Sequence, residues 1–534
     1  MRGSPSLILI VLAACGSDGN ASSFAVLAVA PANDAVEVDL ATAITIELSA
    51  PPATDFAVTL AAATGEPIPH ALAVDGTTVT LTPTDPLWIA TDYTLAIDAA
   101  VRSDANEPLG EAFGSKFTTR DGAWQTIPLH AQPMMAAAPL GAGAAPSLAT
   151  LPDGTVLAGW EGGGELFDQK FTPATGWLGA PNRLDIVGGD PDGVEIAVAS
   201  PTRAVAGHEK YVTRANIEAR TYDGAQWSAP ITVAPYMIGT TRYDQYLGGV
   251  AATEQSYALV FHRGSFDTEL FDAYASIHAN GAWGAPFLVE QLAGSASGAE
   301  VAADGRGGYV IAWIQRSADK LSTAVWVTTL SGTGAVGQPQ MLDDGPGTTY
   351  SLTLARGGDT VWIAWAHQQG NVKLRVTARP LGASGLGTAH AIDLDGFSFG
   401  GEWARIAASA NGAVLVYTQY GGVFAATATN GSWSAVAELD KISMTPGTDV
   451  GRPVVALDDR GNATAVWTRV PATGRRTTVV ARARGGQWSA ATQLDEGTGS
   501  TYVWTAGVDA AGRVTTAWTQ SDTTSYTVWG AHLQ

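Results

Sequence analysis

The stretch Ala463-Thr464-Ala465-Val466-Trp467-Thr468-Arg469 is one copy of a pattern that returns about every 51 residues. Small and β-branched residues lead to one aromatic anchor, and a polar residue follows two positions after it. The most regular copies have their anchors at Phe261, Trp313, Trp365, Tyr417, Trp467 and Trp518, which gives steps of 52, 52, 52, 50 and 51 residues. So constant a period indicates a protein built from structural repeats.

The copy over residues 453–490 contains four strand patterns, which are separated by turns rich in Asp, Asn and Gly. Such turns supply the positive φ angles that tight antiparallel connections require. A four-stranded repeat of this length is typical of a β-propeller, in which each sheet buries its faces against its two neighbours. We therefore predict an all-β fold with a propeller over residues 121–534.

The two ends of the propeller region predict how the ring closes. The last repeat has only three strand patterns, whereas an additional strand pattern over 121–130 precedes the first repeat. If this strand completes the last sheet, the ring closes and no edge strand is left exposed. The count predicts a closed propeller of eight four-stranded blades. Seven blades remain the alternative, because the repeat at 193–234 has His208 near the place of the aromatic anchor.

Residues 24–119 show a different pattern, with short runs of alternating polar and apolar residues and no 51-residue period. This alternation predicts a small β-sandwich. Several segments occur in the order found in bacterial Ig-like domains of exported proteins: Pro31-Ala32-Asn33, Ser49-Ala50-Pro51, Thr82 to Leu87, Tyr93 and Phe117-Thr118-Thr119. The segment thus resembles that family, and the resemblance implies a spacer or adhesion domain without catalytic residues.

Residues 1–15 begin with a basic residue, continue with an apolar run and end at Leu12-Ala13-Ala14-Cys15, which is the anatomy of an export signal. The ending resembles the bacterial lipobox, and the resemblance implies cleavage before Cys15 and acylation of that residue. An ordinary signal with an incidental cysteine is the alternative. We expect a lipoprotein exported to the bacterial cell envelope (outer membrane or cell surface), with residues 16–23 as a flexible tether and the lipid anchor as its contact with the membrane.

The composition limits the partners. With 29 basic and 50 acidic residues, the net charge is −21, which disfavours nucleic acid because phosphate binding needs a basic surface. One cysteine cannot form an intramolecular disulfide, and the eight histidines are scattered without metal-ligand spacing. We expect a monomer without a metal or cofactor.

Two groups of residues are candidates for ligand binding at one face of the propeller. Two positions after successive anchors stand long polar residues, which are Arg263, Gln315, His367, Gln419, Arg469 and Gln520. Connections between repeats carry aromatic residues, notably Tyr246, Trp403 and Tyr502. A ring of polar groups with aromatic faces beside it suits sugars or peptide segments. Capping of strand ends in water is the alternative for the polar group, and packing between blades is the alternative for the aromatic group.

The propeller pattern also resembles the broad sialidase-like group of repeat propellers, which implies glycoside cleavage as one possible activity. The Ser-x-Asp-x-Gly-x-Thr-Trp box of those enzymes is absent, as are a Gly-x-Ser-x-Gly elbow and a His-Glu-x-x-His zinc motif. We therefore favour a platform that binds a glycan or an envelope protein without catalysis. A glycan-cleaving hydrolase and a structural scaffold in an envelope assembly remain the alternatives.

Overall fold

The computed structural model describes residues 24–128, 134–135, 146–173, 175–184, 190–265, 267–343, 347–369, 373–393, 403–419, 421–441, 449–496, 498–521 and 525–533. The predicted signal 1–15 with Cys15 and the tether 16–23 lie outside these residues, as do the last two positions of the predicted strand 121–130. Within this part of the chain the fold is all-β, and it contains no helix long and apolar enough to cross a membrane. The chain divides into two compact units, 1–121 and 122–534.

The first unit has eight strands: β1 (Val26–Ala30), β2 (Ala35–Val38), β3 (Ile44–Leu48), β4 (Thr59–Ala62), β5 (His70–Asp75), β6 (Thr78–Pro83), β7 (Asp92–Ile97) and β8 (Phe113–Thr119). They form two four-stranded sheets, in the orders β1-β3-β6-β5 and β2-β8-β7-β4. Alternate residues of β3 and β7 are buried, among them Ile44, Ile46, Tyr93 and Leu95. Because strand side chains alternate between faces, this pattern packs one face of each sheet into a shared core.

The second unit begins with β9 (Trp124–Pro128) and β10 (Met134–Met135). Sheet 1 contains β11 (Ser147–Thr150), β12 (Val156–Gly162), β13 (Glu165–Thr172) and β14 (Gly176–Arg183). Sheet 2 contains β15 (Asp190–Ser200), β16 (Arg203–Tyr211), β17 (Ala215–Tyr222) and β18 (Ile231–Ala234). A hairpin of β19 (Met237–Ile238) and β20 (Thr241–Arg242) leads to the next sheet.

Sheet 3 contains β21 (Asp244–Ala252), β22 (Tyr257–Ser265), β23 (Leu270–Ala279), β24 (Ala282–Trp283) and β25 (Phe287–Leu288). Sheet 4 contains β26 (Ser295–Ala303), β27 (Tyr309–Arg316), β28 (Thr323–Leu330) and β29 (Gln340–Met341). Sheet 5 contains β30 (Thr348–Gly357), β31 (Thr360–Gln369), β32 (Lys373–Gly382), β33 (Gly385–Leu386) and β34 (His390–Asp393).

Sheet 6 contains β35 (Ala404–Ser409), β36 (Gly412–Gln419), β37 (Gly422–Thr429), β38 (Ser432–Trp433) and β39 (Ala437–Lys441). Sheet 7 contains β40 (Asp449–Val450), β41 (Val454–Leu457), β42 (Ala463–Val470), β43 (Thr477–Arg484), β44 (Gln487–Trp488) and β45 (Thr492–Gln493). Sheet 8 contains β46 (Ser500–Val508), β47 (Val514–Ser521) and β48 (Ser525–Leu533), to which β9 and β10 add.

The second strand of each sheet is buried almost without alternation. Six consecutive residues of β42 and seven of β22 are buried, because neighbouring sheets cover both faces of these strands. Continuous small and apolar sequence is the expected consequence of burial on both faces. The weak repeat at 193–234 forms a complete antiparallel sheet, so the described residues after 121 contain eight large sheets.

The sheets follow one another in chain order, and neighbours are in contact. The first strand of each sheet contacts the first strand of the next, with β41 taking this place in sheet 7, and β46 also contacts β11 of sheet 1. A backbone hydrogen bond from the Ala510 amide to the Pro152 carbonyl, 3.1 Å long, joins the turns of sheets 8 and 1. Strand β9 pairs antiparallel with β48, and Trp124 lies opposite Leu533. Residues from just before sheet 1 therefore complete sheet 8.

Candidate functional site

The polar residue after the Trp467 anchor joins sheet 7 to sheet 6. Asp440 of β39 accepts a hydrogen bond from the buried Trp467 indole, 2.9 Å long, and two from Arg469, at 3.0 and 2.8 Å. The carboxylate thus satisfies a buried indole N–H and a guanidinium at once. We call this arrangement an inter-sheet clamp.

A second clamp joins sheets 4 and 5. The carboxylate of Asp343, which follows β29, accepts the Trp365 indole N–H at 3.2 Å and lies 3.0 Å from the His367 Nδ1. Like Asp440, Asp343 stands where the chain leaves one sheet, and its partners lie on the second strand of the next. Both clamps therefore connect consecutive repeats.

The other predicted polar residues lie in similar places. Gln315 accepts the Trp313 indole N–H at 2.9 Å and donates to the Ala293 carbonyl in the connection from sheet 3. Gln520 donates to the Glu496 carbonyl in the connection from sheet 7. Four of the six predicted residues thus bridge directly between consecutive repeats.

Arg263 acts through a second side chain. Its Nε donates to the Gln245 amide oxygen at 2.8 Å, and the Gln245 amide nitrogen donates to the Ala234 carbonyl of sheet 2 at 3.1 Å. The last of the six residues, Gln419, is buried, and the connection before its sheet lies partly outside the described residues. The polar groups predicted as a ring around a ligand are therefore committed, in five cases, to holding consecutive sheets together.

The aromatic candidates separate into two places. Tyr246 and Trp403 line a cavity of about 770 Å³, whereas Tyr502 lies beneath the Arg476 guanidinium, whose carbon is 4.4 Å from the ring centre. The cavity is lined by residues from six sheets, 2 to 7, and most of them belong to the first strands. Because several repeats supply its wall, no single repeat could form it alone.

Irregular pairing in the first strands shapes this wall. The register with the second strand shifts between Asp192 and Val194, and the same kind of shift occurs in β21, β26, β30 and β46. A β-bulge of this kind bends a strand and re-aims the side chains beside it. In sheets 2 to 5 the residues at or just after the shift line the cavity, among them Glu195, Gly248 and Tyr350.

Of the six charged side chains that line the cavity, Glu269 and Arg316 pair with each other. The other four are Glu195 of sheet 2, Glu300 of sheet 4, Arg405 of sheet 6 and Arg452 between β40 and β41 of sheet 7. Glu195, Glu300 and Arg405 stand at equivalent positions of their sheets. Each lies opposite the second-strand residue that comes directly before the anchor position. The Arg452 guanidinium carbon lies 4.0 Å from the centre of the Trp403 ring. This contact holds the guanidinium over an aromatic face.

The surroundings of these groups shift their pKa values. The side chain of Glu195 is exposed to water, but protein atoms surround its carboxyl group; this burial, followed by repulsion from Glu300, raises its pKa to about 7 in spite of Arg405 and Arg452. Burial also raises the pKa of Glu300, whose carboxylate accepts a hydrogen bond from the Leu354 amide at 3.2 Å. For Arg452, burial and then repulsion from Arg405 lower the pKa to about 10. Among the described residues, no three His, Cys, Asp or Glu side chains are grouped to hold a metal ion.

The sequence-based prediction missed the two carboxylates, although they leave a signal. Each is the one charged residue of a short run of apolar first-strand residues, as in Val194-Glu195-Ile196-Ala197 and Ala299-Glu300-Val301-Ala302. Arg405 occurs in the same context, Ala404-Arg405-Ile406-Ala407. A single charge repeated at this position marks a group that has to be compensated within the fold.

Residues 20–119 match the family described as Bacterial Ig-like domain, and this match places such a domain at the N-terminal end of the chain. No curated protein matches the sequence.

Three solved structures illustrate the fold likeness. The NanB sialidase of Streptococcus pneumoniae is 11% identical with a TM-score of 0.35, and the match covers 84% of this chain and 90% of that one. The Aleuria aurantia lectin is 12% identical with a TM-score of 0.31, over 59% of this chain and 99% of that one. The β-propeller domain of the Trilobed protease from Pyrococcus furiosus is 8% identical with a TM-score of 0.37, over 63% and 93%. At TM-scores below 0.5 these likenesses carry no argument about a ligand or a reaction.

The clamp at Asp440 predicts a specific loss of stability. Asp440→Ala leaves the Trp467 indole buried without its acceptor and Arg469 without its carboxylate, so we expect unfolding free energy to fall by about 1–3 kcal/mol. Glu438→Ala on the same strand is the matched control, because its pair with Lys441 is exposed and worth about 0–1 kcal/mol. Urea unfolding measures both, and equal losses would contradict the clamp.

The raised pKa of Glu195 predicts a dependence of stability on pH. The folded protein holds this proton up to a pKa of about 7, whereas the ordinary value is 4.5. Between these values the folded state binds more protons than the unfolded state, so unfolding free energy decreases as pH rises through this window. We expect Glu195→Gln to reduce the decrease and the exposed-site variant Glu438→Gln to leave it unchanged. Urea unfolding at several pH values checks this, and identical slopes in all three proteins would refute it.

Proposed function

We propose that the eight sheets form a closed eight-bladed β-propeller with the cavity on its axis. Support comes from the successive contacts between first strands, from the contact of β46 with β11, and from the pairing of β9 with β48. In this arrangement β9 serves as the outer strand of the last blade. The ends of the region thereby hold each other, which removes an exposed edge.

Deletion of β9 tests this closure. A chain that begins at residue 146 loses the five residue pairs between β9 and β48 and exposes the β48 edge. We expect a lower urea midpoint and self-association on gel filtration, compared with a chain that begins at residue 122. An unchanged midpoint and a monomeric elution would count against closure through β9.

We infer that the propeller is a recognition platform that binds a glycan or protein ligand at this cavity. The observation that carries the proposal is the set of Glu195, Glu300, Arg405 and Arg452 beside aromatic residues in one cavity of about 770 Å³. Ligand sites are typically concave, with a few polar groups that fix orientation among apolar walls. The clamp residues are not included in this site, because their polar atoms hold the sheets together.

We also propose that the chain is anchored in the cell envelope through an acylated Cys15, with the Ig-like domain as a spacer. Support comes from the apolar run before the cysteine and from the polar segment that follows it. Membrane fractionation of cells that produce the Cys15→Ser variant tests this anchor. Retention of the variant in the membrane fraction would exclude it.

A glycan array tests the recognition function, with the chain from Phe24 onward as the probe protein. We expect binding to a defined glycan class and a loss of at least about tenfold for Trp403→Ala, because this change removes the aromatic support of Arg452. Glu438→Ala is the control and should bind as the parent does. Binding that survives Trp403→Ala would move the site elsewhere. If the parent binds no glycan, the glycan proposal fails and a protein ligand remains.

One observation favours hydrolysis of a bound glycan as a second candidate function. A carboxyl group with a pKa of about 7, such as Glu195, is suited to donate a proton near neutral pH, and Glu300 supplies a second carboxyl group in the cavity. Release of reducing ends from any glycan that binds would support this function. Equal release by the parent and by Glu195→Gln would exclude Glu195 as the acid.

A further inference from the structure

Four of the six charged side chains of the cavity, Glu195, Glu300, Arg405 and Arg452, are separated by sign. The two carboxylates come from sheets 2 and 4, and the two guanidiniums come from sheets 6 and 7. Between described residues, none of the ion pairs within 4.0 Å includes Glu195, Glu300, Arg405 or Arg452. The cavity therefore has an acidic side and a basic side, each with two like charges.

The remaining charged or ionisable groups Glu269, Arg316 and His262 of the lining have partners within the protein. Glu269 pairs with Lys320 at 2.6 Å and with Arg316, which also lines the cavity, at 3.7 Å. His262 accepts a hydrogen bond from the Ala299 amide at 3.0 Å, and burial lowers its pKa to about 4, so it is neutral near pH 7. The protein itself therefore compensates these three groups.

Repulsion between like charges raises the free energy of the empty site. After burial, repulsion from Glu300 is the largest cause that raises the pKa of Glu195, and repulsion from Arg405 is the largest that lowers the pKa of Arg452. A ligand with one charge compensates one side and meets repulsion from the other. A ligand with both charges compensates both sides if it lies across the cavity.

We propose that the cavity binds a dipolar ligand, with a carboxylate held by Arg405 and Arg452 and an ammonium group held by Glu195 and Glu300. This inference rests on the proposed recognition function and names the ligand chemistry of the same site. Planar guanidiniums suit a carboxylate because they donate paired hydrogen bonds, and the contact with Trp403 limits the movement of Arg452. The Trp403 ring and the half-exposed Tyr350 ring offer apolar surface to the part of the ligand between its charges.

The proposal has a consequence for protons. An ammonium group beside Glu195 stabilises the carboxylate form, so binding near pH 7 releases a proton. A ligand with only a carboxylate does the opposite, because added negative charge favours protonation of Glu195 and Glu300. The other titratable groups of the wall are Tyr246, Tyr350, His262, Glu269 and Arg316. The charges that shift the pKa of Glu195 are those of Glu300, Arg405 and Arg452.

Isothermal titration calorimetry with unbranched amino acids of increasing length, from glycine to 6-aminohexanoate, tests the proposal. Hexanoate and hexylamine serve as single-charge controls. We expect one length to bind at least about tenfold more tightly than either control, with proton release detected by comparing buffers of different ionisation enthalpy. Arg452→Gln and Glu195→Gln should each lower this affinity by about tenfold or more, as expected for loss of a charge-assisted contact. Glu438→Gln should have no effect.

Three results would overturn the proposal. Hexanoate could bind as tightly as every amino acid, hexylamine could bind as tightly as every amino acid, or none of the amino acids could bind at a concentration of about 1 mM. The glycan array separates this failure from failure of the recognition function. Suppose that the parent binds a glycan, that Arg452→Gln abolishes this binding, and that no amino acid binds. The recognition site is then supported, and the proposal of a dipolar ligand is rejected. Binding only to array glycans that carry both amino and carboxylate groups would identify a glycan, rather than a free amino acid, as the source of the same chemistry.

Discussion

The indole N–H of a buried tryptophan needs an acceptor, and for Trp467 and Trp365 the neighbouring repeat supplies it. Asp440 and Asp343 each stand where the chain leaves one sheet and bind an indole and a basic side chain on the next. Leaving such a donor unpaired costs about 1–3 kcal/mol, so consecutive sheets are held in a defined register. At these two repeats the position of the anchor therefore depends on a contact with the preceding sheet as well as on its own sheet.

Because the second strands hold neighbouring sheets together, the first strands are available to form a binding site. The second strands carry the basic and tryptophan partners of the clamps, and they are buried over most of their length. These contacts hold the sheets together. A first strand pairs with the second strand of its sheet along one edge. In five sheets the register of this pairing shifts close to the position of the aromatic anchor. At that level the chain carries Glu195 and Glu300, which would be costly in a dry core and which here line the cavity. The residues that hold the sheets together and the residues proposed to bind a ligand thus lie on adjacent strands.

The two units differ in how they use a β-sheet. In the N-terminal unit each sheet buries one face, so β3 and β7 alternate, and the family match over 20–119 agrees with that pattern. In the second unit each sheet is covered on both faces, so its second strand is a continuous run of small and apolar residues. The cavity lies in the second unit, where several sheets present their first strands to one space.

Local sequence determined the all-β class, the Ig-like segment, the eight sheets and the strand before sheet 1 that pairs with sheet 8. Strand periodicity, turn residues and a constant repeat length are properties of neighbouring residues, so they can be read from the sequence. The roles of Arg469 and His367 were not available in that way. Their partners Asp440 and Asp343 belong to other sheets, and a polar residue at a strand end has the same local pattern whether it meets a carboxylate or a ligand. Glu195 and Arg405 are 210 positions apart in the sequence and come to one cavity only when six sheets assemble around it, so tertiary structure alone decided the site.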